Sequence, residues 1–511
     1  MSGLPLVVQL GFAGSRELLD DPGFEDAVER QLVARLQRLP SELGLSDRHF
    51  ICGISQVAIG ADTIFTRACG KLGWPQRIFL PQPVDAYLSG VGADQKPDFA
   101  EEQRAVAREL LGRDQVIQIR VVSDAPDRTE RFIDTNLELV RVSDLVVCLV
   151  RAGGGPGKPG GTQALIEHAA HRGRPVLLLA LSIESGAPVL REEWSQRAAF
   201  APPCLPGELV APPTTLAVLP SAGDYCVELQ NYSGRAAEAK QSLFKVAAGI
   251  IIVTHVLATL IAAAALRLHG GILPILLGVE LSLLVIGFLT HQALHHSKAA
   301  RIWAMSRLVA EVGRSGQALQ ARVYLSHLFS LPFPQEIRPL LRTLSILHLR
   351  SSRHLAGTWE KRRAAYVKAR IGEQLEFYRA GRARAARWSK IAGICFGVAS
   401  VLAIVSTGSK LASGWLGAPP ALEALLATWL GTAAIVLPVI AVAAVSLAAS
   451  FGLDARIHTY GEMDRFLATR QEHLKAATSE RAFVALALET EARLLGENVG
   501  WYYRHAFAKV T

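Results

Sequence analysis

Two glycine-rich segments carry the residue types that bind phosphate groups in proteins. The segment 11–16 follows an apolar run at 6–10, and the segment 153–161 follows another at 145–150. Glycine lets the backbone approach a ligand and point several N–H groups at one anion, and a helix N-terminus behind the loop favours negative charge. Arg16 offers a cation, while Ser15 and Thr162 offer hydroxyl groups. The pattern predicts nucleotide binding, although tight strand-to-helix turns would also use glycines here.

A third segment supports the first two, because Gly60 and Asp62 open a predicted helix directly after a strand. Together the three segments define the candidate ligand-binding set. Its members are Gly11, Ala13, Gly14, Ser15, Arg16, Gly60, Asp62, Gly153, Gly154, Gly160, Gly161 and Thr162.

The elements that must position this set alternate between strands and helices. Short apolar runs at 6–10, 49–53, 76–80, 116–122, 145–150 and 176–181 predict strands, and the intervening stretches at 24–39, 61–72, 101–111, 129–142 and 162–172 predict helices. This alternation predicts an α/β Rossmann-like domain with a parallel sheet and helices on both faces. In such sheets the ligand site lies beyond the carboxyl ends of the strands, where the glycine-rich segments fall.

The second half of the chain contains four long apolar runs, at 244–266, 271–294, 391–409 and 425–451. A run of this length forms a helix of about 34 Å, which spans a hydrocarbon core. Because a backbone in lipid must satisfy its own hydrogen bonds, the runs predict two helical hairpins and an all-α membrane domain with cytosolic helices. A hydrophobic content of 50% with only 19% charged residues excludes an ordinary soluble protein.

The net charge of +9 is concentrated between and after the hairpins. Nucleic-acid binding is one interpretation, but basic residues next to membrane helices more often fix topology and meet anionic lipid. We therefore expect a multi-pass inner-membrane protein with both termini in the cytoplasm, a lipid partner and no nucleic acid. The six cysteines form no CxxC pair and no zinc spacing, so we expect reduced thiols and no metal.

Two ionisable residues lie within the apolar runs. Glu280 occurs near the middle of the second run and His255 within the first. An ionisable group at that depth faces a helix interface or water. Both residues are therefore candidates for lining a pore, and packing between helices is the alternative for each.

The N-terminal motifs together resemble the SLOG superfamily over about 6–181. They are GFAGSR at 11–16, IGAD at 59–62, FLP at 79–81, SDLVV at 143–147 and PGGT at 159–162. The resemblance implies either a nucleotide sensor or a hydrolase of the LOG type, which cleaves an N-glycosidic bond. The enzymes carry Pro-Gly-Gly-x-Gly-Thr-x-x-Glu. This chain keeps Pro159 and Glu167 at that spacing but has Gln163 and Ala164 in place of the second Gly-Thr pair, which favours binding without turnover.

The segment 366–501 resembles the SLATT family of two-helix membrane domains, through Tyr366, Arg370, Gln374, the second hairpin and Glu497. Members of that family accompany SLOG or nucleotidyltransferase partners and are proposed to form pores that kill an infected cell. An additional hairpin precedes this unit here.

The sequence thus divides into a SLOG-like domain at 1–181, a Pro-rich linker at 182–230, a first hairpin unit at 231–330, a cytosolic connector at 331–365 and a SLATT-like unit at 366–511. We expect an antiphage, abortive-infection membrane effector that oligomerises and forms a pore or channel. Its ligand would be a nucleotide second messenger of the cyclic or ADP-ribose type, made by a partner enzyme. The alternatives are a membrane-tethered nucleotide hydrolase that uses Glu167, and a transporter or lipid-associated scaffold.

Overall fold

A seven-stranded sheet forms the N-terminal part of the computed structural model, which describes residues 4–18, 21–90, 98–153, 159–206, 219–265, 272–319, 330–351, 358–416 and 420–506. The strands are β1 (Leu6–Gly14), β2 (His49–Ser55), β3 (Gln76–Leu80), β4 (Val116–Val121), β5 (Leu145–Arg151), β6 (Val176–Glu184) and β7 (Ala187–Ser195). All six predicted strands are confirmed.

The seventh strand lies within the segment predicted as a Pro-rich linker, which corrects that prediction for its first part. β7 pairs antiparallel with β6 through Ser185 and Gly186, whose φ angles are 50° and 79°. Two consecutive residues with positive φ form the turn that matches the twist of a hairpin. The Ser-Gly pair was therefore a hairpin signal, and the sheet is parallel except at this edge.

Helices cover both faces of the sheet, as predicted. They are α1 (Glu25–Glu42), α2 (Ala61–Leu72), α3 (Val84–Leu88), α4 (Glu101–Gly112), α5 (Arg128–Val142) and α6 (Thr162–His171). On one face Phe12 of β1 stacks on Phe65 of α2, with ring centroids 4.1 Å apart. On the other face Val146 of β5 packs with Leu139 of α5 and Leu165 of α6.

The strand order, β4-β3-β2-β1-β5-β6-β7, identifies the centre of the sheet. The chain moves outward from β1 to β4 and then returns to β5 on the opposite side of β1. The carboxyl ends of β1 and β5 therefore form a topological switch point, which is where ligands bind in open α/β sheets.

The described residues from 222 onward are mainly helical. Its helices are α7 (Ala222–Ala265), α8 (Leu273–His296), α9 (Ala299–Leu319), α10 (Arg338–Ser351), α11 (Trp359–Ala365), α12 (Gly372–Leu416), α13 (Pro420–Ser450), α14 (Leu453–Ala476) and α15 (Glu480–Ala506), with a π-helical turn at Tyr366–Ile371. Within the described residues four helical stretches are long and apolar enough to cross a membrane: Ala222–Ala265, Leu273–His296, Trp359–Ala412 and Trp429–Ala476. Each of these overlaps one of the four predicted runs.

The chain forms two compact units. Unit 1 comprises Met1–Leu229 and Gln320–Leu355, and unit 2 comprises Gln230–Leu319 and Ala356–Thr511. α10, which falls in the segment predicted as a cytosolic connector, is part of unit 1. β5 pairs with β1 only from Leu10 onward, so the first residues of β1 have no partner strand on that side. There the Val7 N–H donates to Thr343 Oγ1 of α10 at 2.9 Å. α10 thus satisfies backbone that the sheet leaves unpaired.

A buried ion-pair network lies at the centre of unit 2. Arg370, in the π-helical turn, contacts Glu311 and Glu491 at 2.7 Å each. The Tyr366 hydroxyl and the Ser315 hydroxyl donate to Glu491 at 2.8 and 2.6 Å. The network connects α9, the π-helical turn and α15, so its geometry depends on all three elements.

Candidate functional site

Hydrogen bonds join the carboxyl ends of β1 and β5 to the start of α6. The Ser15 N–H donates to the Leu149 carbonyl at 2.9 Å, and the Thr162 hydroxyl donates to the Gly14 carbonyl at 2.9 Å. The two glycine-rich segments therefore meet at the switch point, as the sequence predicted. Because Thr162 bonds the backbone of β1, its hydroxyl holds α6 against the strand.

The first glycine-rich segment is shorter than predicted, because β1 continues to Gly14. A Cβ at Gly11 would lie 2.4 Å from Ser143 Oγ, and one at Gly14 would lie 2.2 Å from Ala61 Cβ. Gly11 and Ala13 are buried strand residues. Gly11 and Gly14 are therefore explained by the close packing of β1 against Ser143 and Ala61. The loop itself begins at Ser15.

The start of α2 packs directly behind that loop. Gly60 has a φ of 83°, and a Cβ there would lie 2.4 Å from the Arg16 carbonyl oxygen. The Ala61 N–H donates to the Ser15 carbonyl at 3.2 Å. Val57, just before this turn, has a φ of 55°, which is strained for a β-branched residue. Position 60 therefore requires glycine, and the backbone is also strained at Val57.

Two buried polar atoms lie at the site, Asp62 Oδ1 and the Tyr87 hydroxyl oxygen. Neither has a hydrogen-bond partner among the described residues. The two residues are 5% and 3% exposed. Burial raises the pKa of Asp62 to about 7, against the opposing effects of the Gln56 N–H and of Arg16. Burial also raises the pKa of Tyr87, so this hydroxyl stays a neutral donor. Unsatisfied buried polar atoms are rare and are typical of functional sites.

Two arginines flank these groups. Arg16 and Arg128 both form ion pairs with Asp98, the first at 3.3 Å. Both guanidinium groups also lie over the ring of Phe132, at 5.6 and 5.7 Å from its centroid. Their side chains are 41% and 38% exposed, whereas that of Asp98 is 10% exposed. Asp98 thus holds two solvent-accessible guanidinium groups close together. Paired guanidinium groups of this kind are suited to binding a phosphate.

An amide pair fixes the second glycine-rich segment. Asn136 Nδ2 donates to the Gly160 carbonyl at 2.7 Å, and Gln56 Nε2 donates to Asn136 Oδ1 at 2.6 Å. Gly160 has a φ of 74°, and a Cβ there would lie 3.1 Å from Phe132 Cβ. Gly161 precedes the first residue of α6. Gly153 also has positive φ, with open space around it, and Gly154 lies outside the described residues.

Sequence reasoning missed half of this cluster. Arg128, Phe132 and Asn136 recur at a spacing of four residues on α5, so one helix face presents all three. That spacing was a usable signal. Tyr87 lies in the short helix α3 and Asp98 shortly before α4, and neither belongs to a periodic pattern long enough to identify it.

Comparison of the chain with known protein families, curated proteins and solved structures gives no match. The site is therefore interpreted from its own chemistry.

The remaining candidate residues lie elsewhere. Glu167 is exposed on α6 and accepts from Gln163 Nε2 at 3.2 Å. Within the described residues, no three His, Cys, Asp or Glu side chains are grouped closely enough to hold a metal ion. His255 bonds the Ile251 carbonyl at 2.7 Å, and a Cβ at Gly287 would meet its ring at 2.8 Å. α7 and α8 thus pack closely at His255. Pore lining by His255 or by the half-buried Glu280 stays a prediction.

Proposed function

We propose that this protein is a nucleotide-gated membrane effector of bacterial antiphage defence. A SLOG-like unit binds a nucleotide second messenger, and a SLATT-like helical unit then opens or assembles a pore in the inner membrane. The observation that carries the proposal is a pair of buried atoms with no hydrogen-bond partner among the described residues, Asp62 Oδ1 and the Tyr87 hydroxyl. They lie beside Arg16 and Arg128 at the switch point of the sheet.

The chemistry of these groups favours a nucleotide over a simple anion. Arg16 and Arg128 match a phosphate, which competes with Asp98 for both guanidinium groups. Tyr87 donates a hydrogen bond, and Asp62 with a pKa of about 7 exchanges between donor and acceptor. A sugar hydroxyl or a base edge offers the complementary groups. A cyclic nucleotide or an ADP-ribose-type ligand has both parts.

The proposal also requires binding to change the membrane region, where the described residues include four helices long and apolar enough to cross a bilayer. A ligand shifts a conformational equilibrium only by the difference in its affinity for the two states. Moving a population from 1% to 99% open requires a difference of about 5.5 kcal/mol. The proposal therefore requires the nucleotide to bind the open or assembled state far more tightly.

The first test measures binding by the full-length protein in lipid nanodiscs, with 3′,5′-cyclic AMP, cyclic di-AMP and ADP-ribose as probes. Removing one charge-assisted contact with Arg16→Ala is expected to weaken the binding of a recognised probe by about 10- to 100-fold. Arg191→Ala is the matched control, because Arg191 is an exposed arginine paired with Glu184 at the far edge of the same sheet. Equal affinity in both variants contradicts the assigned site.

The second test measures dye release from vesicles that contain the protein. The recognised probe is expected to release dye with the wild type and with Arg191→Ala, and to fail with Arg16→Ala at the same concentration. Vesicles that stay sealed while the protein holds the probe contradict a pore. Release of free base or ribose phosphate that Glu167→Gln abolishes would instead identify a hydrolase.

A further inference from the structure

A cavity of about 720 Å³ lies inside unit 2, between α7, α9, α12, α13 and α14. Lys245 of α7 adjoins the start of the first apolar run, and Trp388 of α12 adjoins the start of the third. Phe451, which follows α13, ends the fourth. The cavity therefore lies where three of the apolar runs begin or end within these longer helical stretches. A bilayer around these helices would place it at the level of the lipid headgroups.

One side of the cavity is basic. Lys245, Arg384 and Arg456 line it from α7, α12 and α14, and none of the described residues that line it is Asp or Glu. None of these three side chains makes an ion pair with a described carboxylate. Arg307 also lines the cavity, but it lies over the Trp501 ring at 4.4 Å. Three cations from separate helices thus face one space that no described carboxylate neutralises.

Convergence of like charges is unfavourable, particularly beside low-dielectric helices where water screens them less. An anion in the cavity removes this repulsion. The helices bring these cations together although their sequence positions are far apart, so the basic side is a product of the tertiary fold.

Much of the remaining lining is apolar. Its members include Ile391, Ala392 and Cys395 of α12 and Ala444, Leu447 and Ala448 of α13. Trp388 at the edge is 60% exposed, and Phe377 is 45% exposed. Aromatic side chains of this kind are enriched at membrane interfaces. A molecule that fills the cavity must therefore be amphiphilic, with an anionic end and a hydrocarbon end.

We infer that this cavity binds an anionic glycerophospholipid of the surrounding membrane. Its phosphate would contact Lys245, Arg384 and Arg456, and an acyl chain would lie along α12 and α13. Basic pockets between membrane helices are known to take such headgroups. The volume suits a headgroup with the upper part of a chain, within the usual range of ligand pockets. This inference does not depend on nucleotide binding in unit 1.

The test counts lipids retained by the full-length protein in native mass spectrometry, with phosphatidylglycerol and phosphatidylcholine as probes. The Lys245→Gln/Arg384→Gln variant is expected to retain phosphatidylglycerol about 30-fold less well than the wild type, from about a fivefold loss per charge. Lys240→Gln/Arg387→Gln is the control, because it removes the same charge from the same helices outside the cavity. Equal loss in the two variants would show only general surface electrostatics and overturn the proposal.

Two further measurements use the wild-type protein, so their results do not depend on whether a variant folds correctly. Cys395 lines the cavity, and Cys204 is an exposed cysteine of unit 1. Phosphatidylglycerol is expected to slow alkylation of Cys395 by N-ethylmaleimide relative to phosphatidylcholine, while Cys204 reacts equally in both. Equal protection by the two lipids contradicts the proposal. Displacement of the lipid by millimolar inorganic phosphate would identify a free-anion site instead.

Discussion

Asp62 is the residue at which the site's electrostatics can be tested most directly. Its carboxyl group is buried at the start of α2, with one oxygen unpartnered among the described residues. Burial raises its pKa from 3.8 to about 7. The folded chain therefore binds this proton more tightly than the unfolded chain, so folding stability falls as the pH rises from about 4 to about 7. The full effect is on the order of 4 kcal/mol.

The Asp62→Asn variant is expected to lose this pH dependence, because an amide does not ionise. Unit 1 of the variant should be stabilised relative to the wild type at pH 8 and little changed at pH 4. Thermal unfolding of the full chain in detergent, followed across this pH range, measures the difference. Asp85→Asn, at an exposed aspartate of α3, is the control. Identical pH slopes for Asp62→Asn and the wild type would disprove the raised pKa.

At the scale of elements, the π-helical turn at Tyr366–Ile371 is an irregular feature of unit 2. π-helical turns interrupt long helices and often occur at functional sites. Here the turn carries Arg370, whose guanidinium contacts Glu311 of α9 and Glu491 of α15. Burial raises the pKa of Glu311, but Arg370 and Arg314 outweigh that effect and hold it below its ordinary value. Glu311 therefore stays ionised in the folded chain near neutral pH.

Replacing Arg370 by methionine is expected to lower the unfolding free energy of unit 2 by about 3–5 kcal/mol, because it leaves buried carboxylates without a counter-charge. Arg379→Met is the control, since Arg379 is 59% exposed and its pair with Asp464 contributes at most about 1 kcal/mol. Denaturant titration in detergent micelles measures both.

A triple variant, Arg370→Met with Glu311→Gln and Glu491→Gln, distinguishes a charge effect from a packing effect. If unpaired charge causes the loss, neutralising both carboxylates should restore much of the stability. A triple variant as unstable as Arg370→Met alone would show that the guanidinium acts mainly through packing.

At the scale of the whole molecule, the distribution of basic residues predicts the orientation of the chain in the membrane. Basic residues are retained on the cytoplasmic side, and they are abundant between and after the hairpins. Both hairpin turns should therefore face outward.

Single cysteines test this orientation in a Cys204→Ser/Cys395→Ser background, in spheroplasts. Lys410→Cys, near the turn between α12 and α13, is expected to react with a membrane-impermeant maleimide added outside. Lys475→Cys, at the end of α14, should react only after the membrane is permeabilised. The reverse pattern would place the nucleotide site outside the cell and contradict a sensor of an intracellular signal.

The sequence alone determined the classes of structure. The strand and helix periods and the four apolar runs are local properties, and each was confirmed. The first glycine-rich segment proved to lie largely within β1, with its loop beginning at Ser15. The inclusion of α10 in unit 1 was not predicted, because Thr343 acts through a contact with the distant strand β1. β7 was missed although the Ser185–Gly186 pair that connects it to β6 was a local signal.

Only the tertiary structure decided which polar groups meet. Tyr87, Asp98 and Arg128 join Arg16 and Asp62 because parallel strands bring separate connections to one edge of the sheet. Burial then changes the chemistry of these residues. No sequence pattern reveals that Asp62 is desolvated or that Gly11 and Gly14 are required for close packing. Sequence specifies local conformation and chemistry, whereas exposure and long-range contact arise only when the chain packs.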